Sequence, residues 1–280
     1  MKNLLTFTLS VLAALVVAML VSQPNSAVQK SVYETVLERG TLRCGYFEEP
    51  PFTVRDPNTG AMSGLAVDLM QSIADGLGLK LEWAEPVVIA TFVQDTLNKR
   101  YDAVCSSVFM SPRGGKMDYT TPYAFAPVYA VVRADDTRFD KPWDQIDWAN
   151  TRIAIIDGAA VTEHAQKRFP SAQYTTLPGM SQITDMLLSV GQNKADIGFV
   201  MRSVFADYNK ANPGQLKIAD TGSPLYTTAI AFGLRPEEPG FKNMLDMMLE
   251  QKMASGELNR LFDKYDPEGH FMQPEELAED

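Results

Sequence analysis

Past residue 30 the chain alternates short apolar runs with amphipathic stretches, and the alternation starts over once. Residues 32–38 predict a short helix before Gly40, and TLRCGYF predicts a strand that runs into the loop EEPPF. DPNTG (56–60) is a breaker-rich turn. Its Asp-x-Asn-x-Gly spacing lacks the further carboxylate and distal Glu of a calcium loop. GLAVDLMQSIADGLGL places Leu65, Leu69, Ile73 and Leu77 on one helical face, and Gly78 ends it. KLEWAE reads as a strand, 90–99 as a helix and YDAVCSSV as the next strand. Then the order repeats. VYAVVRAD is a strand and TRIAIIDG (151–158) a buried one, followed by a helix near 162–169. AQYTTL, ADIGFVM and LKIAD read as strands, separated by the helices SQITDMLLSVGQN and MRSVFADYNKAN. PLYTTAIAFGL returns as a strand, and helices at 240–253 and 256–264 close the pattern.

Strand–helix–strand units of this length pack as parallel βαβ units, with their sheet ends near a cleft. Two such units crossed by two extended strands predict an α/β protein of two lobes with a two-strand hinge. The crossings fall near 128–133 and 225–230. The first lobe is then discontinuous, 38–128 plus 231–266, and the second is 129–230 with the hinge strands. Residues 267–280 form an acidic tail with little to bury, expected to be disordered.

The N-terminus changes the picture of where the protein works. Lys2 is the only charge before Lys30, and Leu4 to Val21 is nearly all apolar, the make-up of a secretory signal. Residues 1–27 therefore read as a signal peptide. They also read as an uncleaved membrane anchor, because Asn25 suits cleavage poorly and the apolar run approaches the ~18 residues that span a bilayer. Either reading places the folded part outside the cytoplasmic membrane, in the periplasm. No cysteine lies near residue 20, which excludes a lipoprotein. The formal charge of −10 becomes −11 once Lys2 is gone. So acidic a chain lacks the clustered Lys and Arg that nucleic acid requires. Cys44 and Cys105 both fall in apolar strand patterns and read as two buried thiols. An oxidising compartment would also allow a disulfide, which would have to bridge neighbouring strands.

The chemistry concentrates in DAVCSSVFMSPRGGKMDYTTPY (102–123). An apolar strand ends in two hydroxyls, Ser106 and Ser107, and Arg113 follows in the loop. The guanidinium fork matches a carboxylate with two hydrogen bonds, so this strand end suits an anion. The stretch resembles the bacterial extracellular solute-binding proteins of family 3, the amino-acid type serving ABC transporters, in which D-x-x-x-S/A-S/G leads through T-x-x-R to D-F-S-x-P-Y. Asp102, Ser106, Ser107, Arg113, Asp118, Tyr119, Pro122 and Tyr123 fill that frame. GTLRCGYFEEPPF, DPNTGAMSGLAVDL, KRYDAV, GAAVTE, NKADIG and GELNRLFDKY follow the family's order and spacing along nearly the whole exported chain.

The resemblance implies the periplasmic binding protein-like II fold, closing on a small solute that it delivers to transporter membrane subunits. It implies a ligand set of Arg113, Ser106 and Ser107, with Phe109, Met110 or Ser111 in the place of the family's intervening hydroxyl, because the segment is one residue short. From the second lobe it implies the helix start around Ala159, Ala160 and Thr162, whose backbone N–H groups favour an anion. The family's ammonium-binding aspartate aligns with Met201, which cannot pair with an α-ammonium. The family's stacking aromatic aligns with Glu49, with Tyr46 and Phe47 nearby to supply a ring. For Glu48 and Glu49 a solvated loop acid and a carboxylate for a cationic ligand group both stand open.

His164 and His270 are the only histidines and lie far apart, so no zinc site is readable. There is no phosphate loop and no nucleophile elbow, and no cofactor is implied. The expected protein is a monomeric, non-catalytic binder of a small carboxylate. The alternatives are an enzyme on the same fold, like the periplasmic cyclohexadienyl dehydratases, with Glu49 and Glu163 as acid candidates, and a ligand-sensing domain for a membrane partner.

Overall fold

The computed structural model describes residues 30–88, 91–110 and 116–277. The signal or anchor segment, and Arg113 with it, lies outside the described residues. Helix α1 (Val32–Arg39) opens on a capping box. The Ser31 hydroxyl accepts the Glu34 amide at 3.1 Å, and the Glu34 carboxylate accepts the Ser31 amide at 2.9 Å. A first parallel unit follows: β1 (Thr41–Tyr46), α2 (Leu65–Gly76), β4 (Lys80–Pro86), α3 (Phe92–Leu97) and β5 (Ala103–Phe109). Between β1 and α2 the DPNTG turn closes a hairpin of two two-residue strands, β2 (Val54–Arg55) and β3 (Met62–Ser63). Asp56 Oδ1 accepts the amides of Asn58 and Thr59 there, both at 2.8 Å.

Strand β6 (Asp118–Tyr119) leads to the long β7 (Ala124–Arg133), which begins earlier than the expected 128. Pro127 hides this start, because it donates nothing to a ladder and reads as a break. The second parallel unit is β8 (Arg152–Ile156), α4 (Ala160–Arg168), β9 (Gln173–Leu177), α5 (Ile183–Gly191) and β10 (Ile197–Met201). Helix α6 (Arg202–Ala211), β11 (Leu216–Ile218), β12 (Tyr226–Leu234), α7 (Pro239–Ala254) and α8 (Glu257–Tyr265) complete the chain.

The strands join in the order β4-β1-β5-β12-β7-β10-β8-β9, with β11 on β7 and β6 on β12. The outer trios are parallel and the central pair is antiparallel. The registers show how the trios face each other. Phe109, the last residue of β5, stands opposite Ile230, which pairs with Ala124. Met201, the last residue of β10, stands opposite Val128, which pairs with Tyr226. The carboxyl ends of both trios therefore point at one stretch of ladder, 124–128 against 226–230. Four residues of strand separate the two ends, about 13 Å at ~3.3 Å per residue.

Two sequence readings are corrected. Cys44 and Cys105 are not thiols but a disulfide, with Cα atoms 5.4 Å apart. Cys44 pairs with Ala103, so Cys105 projects from the same sheet face one diagonal step away. The described part of the acidic C-terminal segment, residues 267–277, is also not loose. Phe271 is buried with its ring 4.6 Å from that of Phe52, and Met272 exchanges backbone hydrogen bonds with Phe125 at 2.8 and 2.9 Å. One aromatic side chain among acids is a weak signal in sequence, yet it anchors the segment.

At the far end of β7 lies an ion-pair network. The buried Asp196 accepts from Arg152 at 2.9–3.0 Å through one amide and two guanidinium contacts, from Arg138 at 2.9 Å and from Arg133 at 3.2 Å. Asp136 shares the last two arginines. Burial pushes Asp196 up, but these hydrogen bonds outweigh it and hold the carboxyl well below the usual range.

Candidate functional site

The carboxyl ends of β1 and β5 hold a short loop in one position. The Phe47 amide donates to Ser106 Oγ at 2.8 Å. The loop turns back on itself: the Glu49 amide donates to the Thr53 carbonyl at 2.8 Å, and the Phe52 and Thr53 amides donate to the Glu49 carbonyl at 2.9 Å. The Pro50–Pro51 peptide is cis. Helix α2 ties the loop from behind, its Leu65 and Ala66 amides donating to the Pro51 and Phe52 carbonyls at 3.0 Å. That approach requires Gly64. Its φ is +129°, and a Cβ there would run into the Phe52 carbonyl oxygen.

The result places Glu49 over Ser107, whose hydroxyl donates to the Glu49 carboxyl at 2.8 Å. Burial pushes Glu49 up to about 7, and the Ser107 bond offsets only part of that rise. Behind the pair stands Tyr123, fully buried, its hydroxyl without a hydrogen-bond partner. Burial raises that phenol well above its usual value, and the charge of Glu49 adds to the effect. Thr53 Oγ1 is likewise buried and unpartnered.

The sequence-selected residues divide into groups. Phe47, Glu49, Ser106 and Ser107 come together at this loop. Ser106 is fully buried and its hydroxyl holds the loop through Phe47. Tyr46 is buried edge-on against Trp83, ring centroids 5.9 Å apart, and Phe47 packs in the same way on Phe92 at 5.6 Å. Met110 follows β5 with its side chain exposed, its amide donating to the Ala229 carbonyl of β12 at 2.9 Å.

Across the gap, Ala159 is the N-cap of α4 and Ala160 its first residue, with no side-chain cap. The Thr162 hydroxyl donates inward to the Ile156 carbonyl at 2.7 Å. Met201 ends β10 and is the N-cap of α6, buried. Two aromatic contacts that the sequence did not announce join this half to the central strands. The His164 ring stacks on Tyr226 at 3.8 Å, and the Arg202 guanidinium lies 4.9 Å from the Tyr129 ring centre. Tyr123 was visible only as part of the Pro-Tyr pair.

A separate concavity of about 390 Å³, lined by Arg133, Asp135, Asp136, Thr137 and Arg138, opens at the far end of β7 and contains none of these residues. Among the described residues no three His, Cys, Asp or Glu are grouped to hold a metal, and no helix is long and apolar enough to cross a membrane.

The sequence pattern of the bacterial extracellular solute-binding proteins, family 3, matches residues 42–268. The "probable amino-acid ABC transporter-binding protein" of Haemophilus influenzae is 26% identical over 215 residues, 75% of this chain and 78% of that one. The L-cystine-binding protein TcyA of Bacillus subtilis is 22% identical over 86% of this chain and 87% of its own. Among solved structures, the ancestral amino acid-binding protein AncCDT-1, a precursor of cyclohexadienyl dehydratase, superposes with a TM-score of 0.68 at 24% identity. It covers 84% of this chain and 99% of that one.

Proposed function

The chain belongs to the bacterial extracellular solute-binding proteins, family 3, and from that premise we propose that it captures a small organic carboxylate, an amino acid or related acid, for an ABC transporter. The observation that carries this reading is the geometry of the central ladder. Two parallel trios aim their carboxyl ends at each other across about 13 Å of two-stranded sheet, and open α/β sheets bind ligands outside such ends. The amino-acid-binding names of the relatives agree with it. The lobes are 38–128 with 231–266, and 129–230, and the β7–β12 ladder is where they bend. Arg113, with Ser106 and Ser107, holds the carboxylate; the α4 start covers it; Tyr46, Phe47, Met110 and Met201 meet the remainder. A protein that is exported and works alone, by leader or by anchor, suits this role.

The test is a thermal-shift screen over amino acids, keto acids and aromatic acids. A ligand at a hundred times its Kd adds about 2.7 kcal/mol of stability, roughly 5–10 °C for a chain of this size. No shift with any of them overturns the reading.

Arg113→Ala is expected to weaken carboxylate binding by about 10- to 150-fold without lowering the melting temperature, since a charge-assisted contact contributes roughly 1.5–3 kcal/mol. Titration calorimetry reads this directly, and a loss smaller than about threefold removes Arg113 from the site. Plain α-amino acids are expected to bind weakly, because Met201 offers an ammonium no acceptor in a poorly hydrated cleft. Met201→Asp then improves their binding. Low-micromolar affinity of the unmodified protein for a plain amino acid would contradict this.

A second reading has one observation in its favour. A carboxyl pushed up to about 7, as Glu49 is, is poised for proton transfer at neutral pH. The protein would then be a dehydratase-like enzyme, with Glu49 the proton donor. Turnover of prephenate, abolished in Glu49→Gln, separates the two.

A further inference from the structure

We propose that Glu49 is protonated when the site is occupied, so that the protein takes up a carboxylate together with one proton from solvent. The proposal rests on the carboxylate reading above.

The geometry is the first argument. Glu49 and Ser107 are already hydrogen-bonded at 2.8 Å. A ligand carboxylate that also reaches Ser107 lies two hydrogen bonds from the Glu49 carboxyl, roughly 5–6 Å away. Two carboxylates this close to one hydroxyl disfavour each other's ionisation, and with Arg113 assigned to the ligand the proton falls to Glu49.

The surroundings are the second argument, because they offer Glu49 little that would keep it charged. On its own loop, Glu48 is exposed and Thr53 Oγ1 is unpartnered. From β5 it meets the Ser107 hydroxyl, and from the turn before β7 it faces the orphan phenol of Tyr123. Helix α2 carries Asp68, which is engaged by Lys264 and Tyr265 at 2.8 and 2.7 Å. The C-terminal segment carries His270, whose Nε2 lies 3.0 Å from Glu268. Among the described residues none of these groups is a cation directed at Glu49, and Arg113, which the carboxylate reading gives to the ligand, is matched by the ligand's own charge. The titration of Glu49 near neutrality in the empty protein is consistent with this.

The opposite wall points the same way. It presents Met201 and the uncapped start of α4, whose first-turn acid, Glu163, is already engaged by a partner of its own. A neutral Glu49 therefore suits an acid without a positive charge. Its O–H donates to the ligand or to Ser107, and the bond to the ionised form is not needed.

Calorimetric titration of pyruvate, benzoate and succinate, in Tris and in HEPES at the same pH, reads the proton count from the difference in heat. With the tightest of the three, uptake of between about half and one proton is expected at pH 7.5–8. If only the protonated form binds, affinity falls about thirtyfold from pH 6 to pH 8.5. Glu49→Gln carries no titrating proton, and its affinity over that range is expected to vary less than about threefold. A melting curve of the variant confirms its fold, and the wild-type proton count needs no variant. Binding without proton uptake overturns this inference alone. Proton release overturns it as well, because it would show that Glu49 binds these acids in its ionised form. Failure of all three acids to bind at pH 6, with no thermal shift from any acid of the wider screen, removes the carboxylate reading itself.

Discussion

Asp196→Ala is expected to lower the stability of the protein by about 2–4 kcal/mol, a drop of roughly 5–15 °C in melting temperature. The carboxylate is buried and takes hydrogen bonds from three arginines. Removing it leaves Arg133, Arg138 and Arg152 facing one another with Asp136 as their remaining acid neighbour. Two of the three guanidinium groups reach solvent, which relieves part of the repulsion and keeps the effect below that of a wholly buried pair. The network joins the ends of β7, β8 and β10, so the loss is felt across the second parallel unit. A melting temperature within 2 °C of wild type would show that the network is not coupled to folding. The pH dependence follows in sign. Asp196 has a depressed pKa in the folded state, so its contribution is complete above the ordinary carboxylate value of about 4 and fades as pH falls below it. Glu49 acts in the opposite sense. Its raised pKa makes the folded state lose stability as pH climbs from 4.5 through about 7. The ligand-free protein is therefore expected to be most stable in mild acid, and Glu49→Gln to extend that maximum towards pH 8.

Reduction of the Cys44–Cys105 bond, or Cys44→Ser with Cys105→Ser, is expected to cost about 4 kcal/mol. The bond closes a loop of 61 residues, and the chain-entropy relation gives a figure of this size for such a loop. Both sulfurs are fully buried, so reduction is expected to require unfolding or a denaturant. Cys105 immediately precedes Ser106 and Ser107, and Cys44 lies two residues before Tyr46. The bond thus pins the two strand ends that carry the Glu49 loop. The double serine variant is accordingly expected to lose ligand affinity beyond what its lower stability explains. Denaturant titrations with and without reductant check the first claim, and a stability change under 1 kcal/mol contradicts it.

Most of the fold was legible because each long element follows one period. Helix α2 shows Leu65, Leu69 and Ile73 on one face, and all are buried; β10, and β8 after Arg152, are unbroken apolar runs with both faces covered. What stayed hidden depended on neighbours distant in sequence. Glu49 and Ser107 meet only because β1 and β5 lie side by side, 58 residues apart along the chain. The disulfide needs the same adjacency. Ser106 read as a ligand group, whereas its hydroxyl also fastens Phe47, an assignment that residue type alone does not reveal. The hairpin of β2 and β3 is too short for a period, and Pro127 masks the first residues of β7.

The position of β12 bears on the order in which the chain folds. This strand lies between β5 and β7, yet it is made about a hundred residues after both. Strands β8, β9 and β10 pair among themselves from one continuous stretch of chain, so that unit can assemble before β12 is available. The other half waits for β12, for α7 and α8 against α2, and finally for Phe271 beneath Phe52. Pairings of such long range close slowly. Until they do, β5 and the loop that carries Glu49 expose an unpaired edge. A chaperone that shields edge strands would find its longest-lived target there, and a chain cut before residue 226 would keep the β8–β10 unit but leave β5 without its partner.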